Sequence, residues 1–166
     1  MGIDDAVALI FTYLTEKNDV VAGYGNVSRE FAARNVRYLA GEIEKTDIKI
    51  MGGAQRSMTG EVPIYHPEIH GLHGLGPIVP PSDIQTEELE NFLGVVEIIE
   101  KYKEDIIIFN AGRLTSLATM FILYGDLMKQ VRSYYIMGGA FLYPGNVTPV
   151  SEANFYGDPV ASQSSI

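Results

Sequence analysis

The sequence predicts an α/β fold, an open and mostly parallel sheet with helices on both faces, and three observations carry that expectation. Short apolar segments alternate with stretches of helical spacing, and each polar cluster either follows a predicted strand or opens a helix. The 166 residues are 46% hydrophobic and 20% charged, ordinary proportions for one folded unit with a sizeable core, so a single domain over 1–166 is expected. In such folds ligands bind outside the carboxyl ends of the strands.

From Asp4 to Thr15 the residues Val7, Ile10, Phe11 and Leu14 recur at helical spacing behind two aspartates, which suit the positive end of a helix dipole. This is a short amphipathic helix. Asp19 to Ala22 reads as a brief strand, and Ser28 to Thr46 as a helix whose Phe31, Ala32, Val36, Leu39, Ala40 and Ile43 share one face. Ile48 to Met51 is a second strand. The Gly/Pro/His-rich stretch from about Gly52 to Ser82 is long enough to be a functional loop. Thr86 to Lys103 is expected as a helix with Leu89, Phe92, Leu93, Val96 and Ile99 on one side. The run DIIIFNAG, Asp105 to Gly112, is continuously apolar, as in a parallel strand buried on both faces. A helix from Thr115 to Tyr124 and a strand from Ser133 to Gly139 complete the alternation.

Composition removes several classes of function. Without cysteine there is no disulfide, thiolate metal site or thiol nucleophile, and a reducing, cytoplasmic compartment is expected. No apolar run has the length of a membrane span, and no basic segment leads an apolar core at the N-terminus, so neither membrane nor secretion is expected. A formal net charge of −9, from 12 basic and 21 acidic residues, opposes a phosphate backbone and argues against nucleic acid. A lone nucleoside, which carries no phosphate, escapes that argument.

Four clusters could carry chemistry. Asp4 and Asp5 could bind a hard cation and a substrate hydroxyl, or simply cap a helix and favour its dipole. GYGNVSRE (Gly23 to Glu30) superficially matches a dinucleotide-binding turn, but Arg29 stands where the third glycine belongs, so a plain strand-to-helix turn is the better reading. HPEIHGLHGLG (His66 to Gly76) gathers all three histidines at a spacing that fits no zinc pattern. MGGAFLYPGNVTPVSEANFYGDP (Met137 to Pro159) brings Asn146, Glu152 and Asn154 together, amide and carboxylate groups able to read sugar hydroxyls.

In their order along the chain GIDDAVAL, GYGNVS, EIHGLHGLG, NAGRLTSLA and MGGAFLYPGNVTPVSEANFYGDP resemble the signatures of the inosine-uridine preferring nucleoside hydrolase family, over Gly2 to about Ala161. The resemblance implies a Rossmann-like sheet and a calcium-dependent enzyme that cleaves a ribonucleoside to ribose and free base. It makes Asp5 a calcium ligand, with the main-chain carbonyl of Ala111 as another. By the same match Asp4, Asn26 and Asn154 contact ribose hydroxyls, Asn146 and Glu152 the 5′-hydroxyl, Met137 lines the ribose pocket, and His70 lies in a mobile loop over the substrate. Family members commonly form dimers or tetramers, which makes a homo-oligomer or a complementing polypeptide an expected partner.

The match also departs from the family. An Asp-x-Asp strand precedes GIDD in the family and holds the general base, and a further calcium aspartate and a histidine lie in a C-terminal half that has no counterpart here. The expectation is therefore a truncated member, lacking the first strand and the C-terminal half, with impaired or absent activity. An inactive binding or interaction module is the alternative, with an unrelated α/β nucleotide binder behind it.

Overall fold

The computed structural model describes residues 1–15, 18–45, 47–84 and 92–165. In chain order the elements are α1 (Ile3–Thr15), β1 (Val20–Ala22), α2 (Arg29–Glu42), β2 (Ile50–Gly52), α3 (Pro67–His70), α4 (Gly94–Tyr102), a 3-10 turn (Lys103–Asp105), β3 (Ile107–Asn110), α5 (Thr115–Met128), β4 (Ser133–Ile136), α6 (Ala153–Tyr156) and α7 (Pro159–Ser164). The class is α/β and the strand pairs are parallel, as predicted. The chain divides into two compact units, Met1–Gln55 with Ile64–Gly94, and Arg56–Pro63 with Val95–Ile166.

In the first unit β1 and β2 pair with Val20 opposite Ile50 and Ala22 opposite Gly52. Ser28 starts α2 by accepting the Phe31 N–H at 3.3 Å, which satisfies one of the donors a helix start leaves open. The predicted face of α2 is the buried one: Ala32, Val36 and Ala40 pack against Tyr13, Ala22, Ile48 and Ile50. Ala6, Leu39 and Leu75 form a second cluster, so the glycine-rich loop after α3 is anchored through Leu75.

The prediction for α1 needs correction. Of the predicted stripe, Ile10 packs against Ala6, Leu39 and Leu75, but Val7, Phe11 and Leu14 are each about two-thirds exposed, whereas Ala6 and Tyr13, outside the stripe, are buried. Apolar residues lie nearly all round this helix, so periodicity located an apolar face that is mostly not the one packed on α2. The predicted helix of 86–103 falls partly on 85–91, outside the described residues; from Gly94 it is present, with Ile99 buried.

In the second unit β3 and β4 pair with Ile107 opposite Ser133 and Phe109 opposite Tyr135. The amides of Arg132 and Met137 extend the ladder by donating to Ile106 and Asn110, at 3.0 and 2.9 Å. α5 continues past the predicted end at Tyr124 to Met128, through a kink at Tyr124 (φ −135°, ψ 38°). Leu114, Ala118 and Ala161 make a fully buried cluster on which Ile136, Phe155 and Met58 pack.

A second correction concerns β3, which is not buried on both faces. Ile108 and Asn110 turn inward, while Ile107 and Phe109 are more than half exposed. A continuous apolar run reports the strand but not whether both its faces are covered.

Candidate functional site

In the first unit the candidates converge on the start of α1. The carbonyl of Gly2 accepts the Ala6 N–H at 3.1 Å, which makes Gly2 the residue before the first helical turn. Asp5 reaches back to take the Gly2 N–H at 2.7 Å, half of a capping box, and its carboxylate lies 4.0 Å from the N-terminal amine. Burial raises the Asp5 carboxyl above its ordinary range; the amine, the Gly2 N–H and His70 oppose that rise, while Asp4 adds to it.

Gly2 is also the hub for three other predicted residues. A methyl group in place of its hydrogen would lie 2.8 Å from Asp4 Oδ1, from Asn26 Nδ2 and from His70 Cε1. Asn26 arrives there from the turn beyond the carboxyl end of β1, held by a 3.0 Å bond from the Gly25 N–H to the Val27 carbonyl. His70 arrives from the end of α3 and places its Nδ1 3.4 Å from the Ile3 amide nitrogen.

The other histidines have structural roles. His73 pairs with Arg34 at 2.9 Å, packs edge-on against Phe31, and lends its carbonyl to the Asn35 amide at 2.6 Å. His66 faces solvent beside Glu68, 2.8 Å away. Gly71 and Gly74 have φ of +78° and +83°, and a side chain there would meet the Gly76 and Met1 carbonyls at 2.3 and 2.5 Å, so the loop is pressed against the chain's first residues. GYGNVSRE is the plain turn: Ser28 caps α2 and the Arg29 guanidinium donates to the Gly53 carbonyl at 3.3 Å.

In the second unit five predicted residues form one hydrogen-bonded cluster at the carboxyl ends of β3 and β4. Asn154 donates from Nδ2 to the carbonyls of Ala111, just after β3, and Met137, just after β4, at 3.0 and 2.9 Å. Glu152 caps α6 by accepting the Asn154 and Phe155 N–H groups at 2.9 and 3.3 Å, and its Oε2 also takes the Gly139 N–H at 3.2 Å. Asn146 accepts the Ala153 N–H on Oδ1 at 2.9 Å, which leaves its NH2 for a ligand. Because both partners of the Asn154 amide are carbonyls, its orientation is fixed, with Oδ1 left to accept from a hydroxyl.

Gly138 makes this cluster possible. A Cβ on it would sit 2.4 Å from the Phe155 ring and 3.1 Å from Glu152 Oε2.

Sequence reasoning missed Asp158. Fully buried, it caps α7 through the Ala161 N–H at 3.1 Å and accepts from Met58 N–H at 2.8 Å and Thr115 Oγ1 at 2.6 Å. Its signal was Asp immediately before Pro159, a cap residue followed by the proline favoured at the first helical position.

The residues present do not make a calcium site by themselves. Such a site gathers six to eight oxygens. Against that number, no group of three or more His, Asp or Glu side chains among the described residues is placed to hold a metal. Among those residues no helix is long and apolar enough to cross a membrane.

Comparison with known proteins follows the same lines. The model of the inosine-uridine preferring nucleoside hydrolases matches residues 1–165. The chain is 32% identical to uridine nucleosidase 1 of Arabidopsis thaliana over 97% of its own length and 49% of the relative's. Among solved structures it is similar to a plant nucleoside hydrolase, 34% identical with a TM-score of 0.89 over 98% of this chain and 53% of that one. It is also similar to a purine-preferring ribonucleoside hydrolase from Gardnerella vaginalis, 26% identical with a TM-score of 0.88 over 98% and 54%. The chain thus spans about half the length of the relatives it matches.

Proposed function

The chain belongs to the inosine-uridine preferring nucleoside hydrolase family, and on that premise we propose that it recognises the ribose of a ribonucleoside and supplies the sugar-holding part of an N-ribohydrolase site. The observation that carries this reading is the Asn154 amide, spent on the Ala111 and Met137 carbonyls so that its oxygen is preset to accept a hydroxyl at the strand ends.

Breaking an N-glycosidic bond builds an oxocarbenium-like ribosyl cation, and a site that fixes the hydroxyls of the sugar holds the ring as that charge develops. In the second unit Asn154 accepts from one hydroxyl, the free NH2 of Asn146 donates to another, and Met137 offers an apolar surface. Taken by itself, the first unit gathers Asp4, Asn26 and His70 at Gly2, groups also able to meet a hydroxyl. Asp5 has a rigid backbone partner and keeps its second oxygen available.

Because the described residues do not make a calcium site, cleavage needs groups beyond this set, and the chain's own contribution is binding and orientation. This favours the binding-module alternative over autonomous catalysis.

The test is release of free base from inosine and uridine by the purified chain, with and without added calcium, alongside binding of the same nucleosides. Saturable binding without base release is expected. A calcium-dependent rate of base release by this chain would contradict the division between binding and cleavage, and absence of nucleoside binding would contradict the reading itself.

A further inference from the structure

We propose that Arg34 and His73 form a pH-sensitive clasp: the neutral His73 ring holds the glycine-rich loop on α2, and uptake of a proton by that ring releases it. The inference rests on the geometry of the first unit and not on the ribose reading.

The Arg34 guanidinium has donors only, so at 2.9 Å from His73 Nδ1 it donates, and Nδ1 carries no proton in this arrangement. Phe31, on the preceding turn of α2, draws the two together: Arg34 Cζ lies over its ring, 4.5 Å from the centroid, and the His73 ring meets it edge-on at 5.4 Å. The fully buried Asn35 donates to the His73 carbonyl at 2.6 Å. Three residues of α2 thus hold one loop residue.

The rest of the loop hangs on that hold. Gly74 lies against the Met1 carbonyl, and Leu75 packs with Ala6 and Leu39. The Gly74 N–H returns to the Gly71 carbonyl at 3.1 Å and the Gly76 N–H to the His70 carbonyl at 2.8 Å, so His70 stands at the base of a closed turn whose middle is His73.

An imidazole takes up its second proton roughly between pH 8 and 5. Protonated on Nδ1, the His73 ring accepts nothing from Arg34 and sets a second positive charge beside the guanidinium. No carboxylate among the described residues forms an ion pair with either side chain. Glu30, one turn back on α2, is engaged with Arg29 and Gln55; the Met1 amine and Asp5, at the start of α1, lie 4.0 Å from each other; and His70, on the same loop, faces the Ile3 amide. Arg34 Nε is buried without a hydrogen-bond partner, which leaves the guanidinium dependent on His73.

The experiment is amide hydrogen exchange of the whole labelled chain, read by NMR as protection factors at about pH 7.5 and about pH 5. The Gly74 and Gly76 amides are expected to lose at least about tenfold in protection at the lower pH, while Val36 and Ala40 in α2 keep theirs. His73→Gln, whose amide oxygen accepts from Arg34 but never ionises, should keep the loop protected at both values. Arg34→Met should lower loop protection at both and remove the pH dependence; if it fails to fold, His73→Gln decides. Equal loop protection at both values in the parent, an undiminished pH dependence in His73→Gln, or an equal loss at Val36 and Ala40 would each overturn the proposal. None of these readouts depends on nucleoside binding or base release.

Discussion

The Nδ2 of Asn154 donates a 3.0 Å hydrogen bond to the main-chain carbonyl of Ala111, forty-three residues earlier in the chain. With its second donor on Met137, Asn154 stitches together the points where β3 and β4 end, and its orientation toward any ligand is settled before the ligand arrives. Preorganisation of this kind lets a small polar side chain discriminate hydroxyls, because no rearrangement is needed on binding.

Asn154→Ala removes two donors and leaves the partly buried Ala111 carbonyl and the exposed Met137 carbonyl without them. We expect a loss of about 1–2 kcal/mol in urea unfolding, together with loss of measurable ribose binding. Retained binding in a folded Asn154→Ala protein would remove Asn154 from the sugar site.

Gly2→Ala separates function from stability in the first unit. The added methyl meets the ends of three flexible side chains, Asp4, Asn26 and His70, all at 2.8 Å, and these can swing aside. Stability should change by no more than about 1 kcal/mol, while nucleoside affinity falls clearly, read by calorimetric titration. A large stability loss with unchanged affinity would mean that the convergence on Gly2 is packing alone.

Asp158→Ala should be the most damaging single change in the second unit. It removes the cap of α7 and the shared acceptor of Met58 and Thr115 from a fully buried position, for a cost of roughly 2–4 kcal/mol. Equilibrium unfolding checks this, and an effect below about 1 kcal/mol would contradict the role given to Asp158.

Asp5→Asn tests the burial of the Asp5 carboxyl through pH. Burial raises the folded-state pKa of Asp5, so the stability this group contributes is present below its unfolded value and is lost as pH rises through the folded value. Asparagine can still accept the Gly2 N–H but never ionises. The variant should therefore melt higher than the parent at neutral pH, with the gain shrinking toward zero in acid. Melting temperatures of both proteins across pH decide it, and a variant less stable at neutral pH would mean that the ionised carboxylate is a net stabiliser.

What the sequence made legible, and what it hid, follows the range of the forces involved. Local signals read well: the helix expected from Ser28 does start there, with Ser28 as its cap, and Asn146, Glu152 and Asn154, close together in one polar segment, fall in one cluster. Signals that depend on what lies opposite did not. The stripe Val7–Phe11–Leu14 and the face of Ile107 and Phe109 are as apolar as any core surface, yet both are exposed, because periodicity states which residues share a face and not which face is covered. Asp158 was hidden for a different reason. Its partners Met58 and Thr115 lie 100 and 43 residues away, and only the adjacent Pro159 hinted at its part in starting α7.

The most direct measurement is a titration of the isotopically labelled chain with ribose and with uridine, following side-chain amide resonances by NMR. Ribose recognition predicts saturable shifts at Asn154 and Asn146, shared by both ligands because the sugar is common to them, with little change at Asn35, which is committed to the His73 carbonyl. Shifts confined to other residues, or none at ligand concentrations that saturate a millimolar site, would contradict the claim that these side chains hold the sugar.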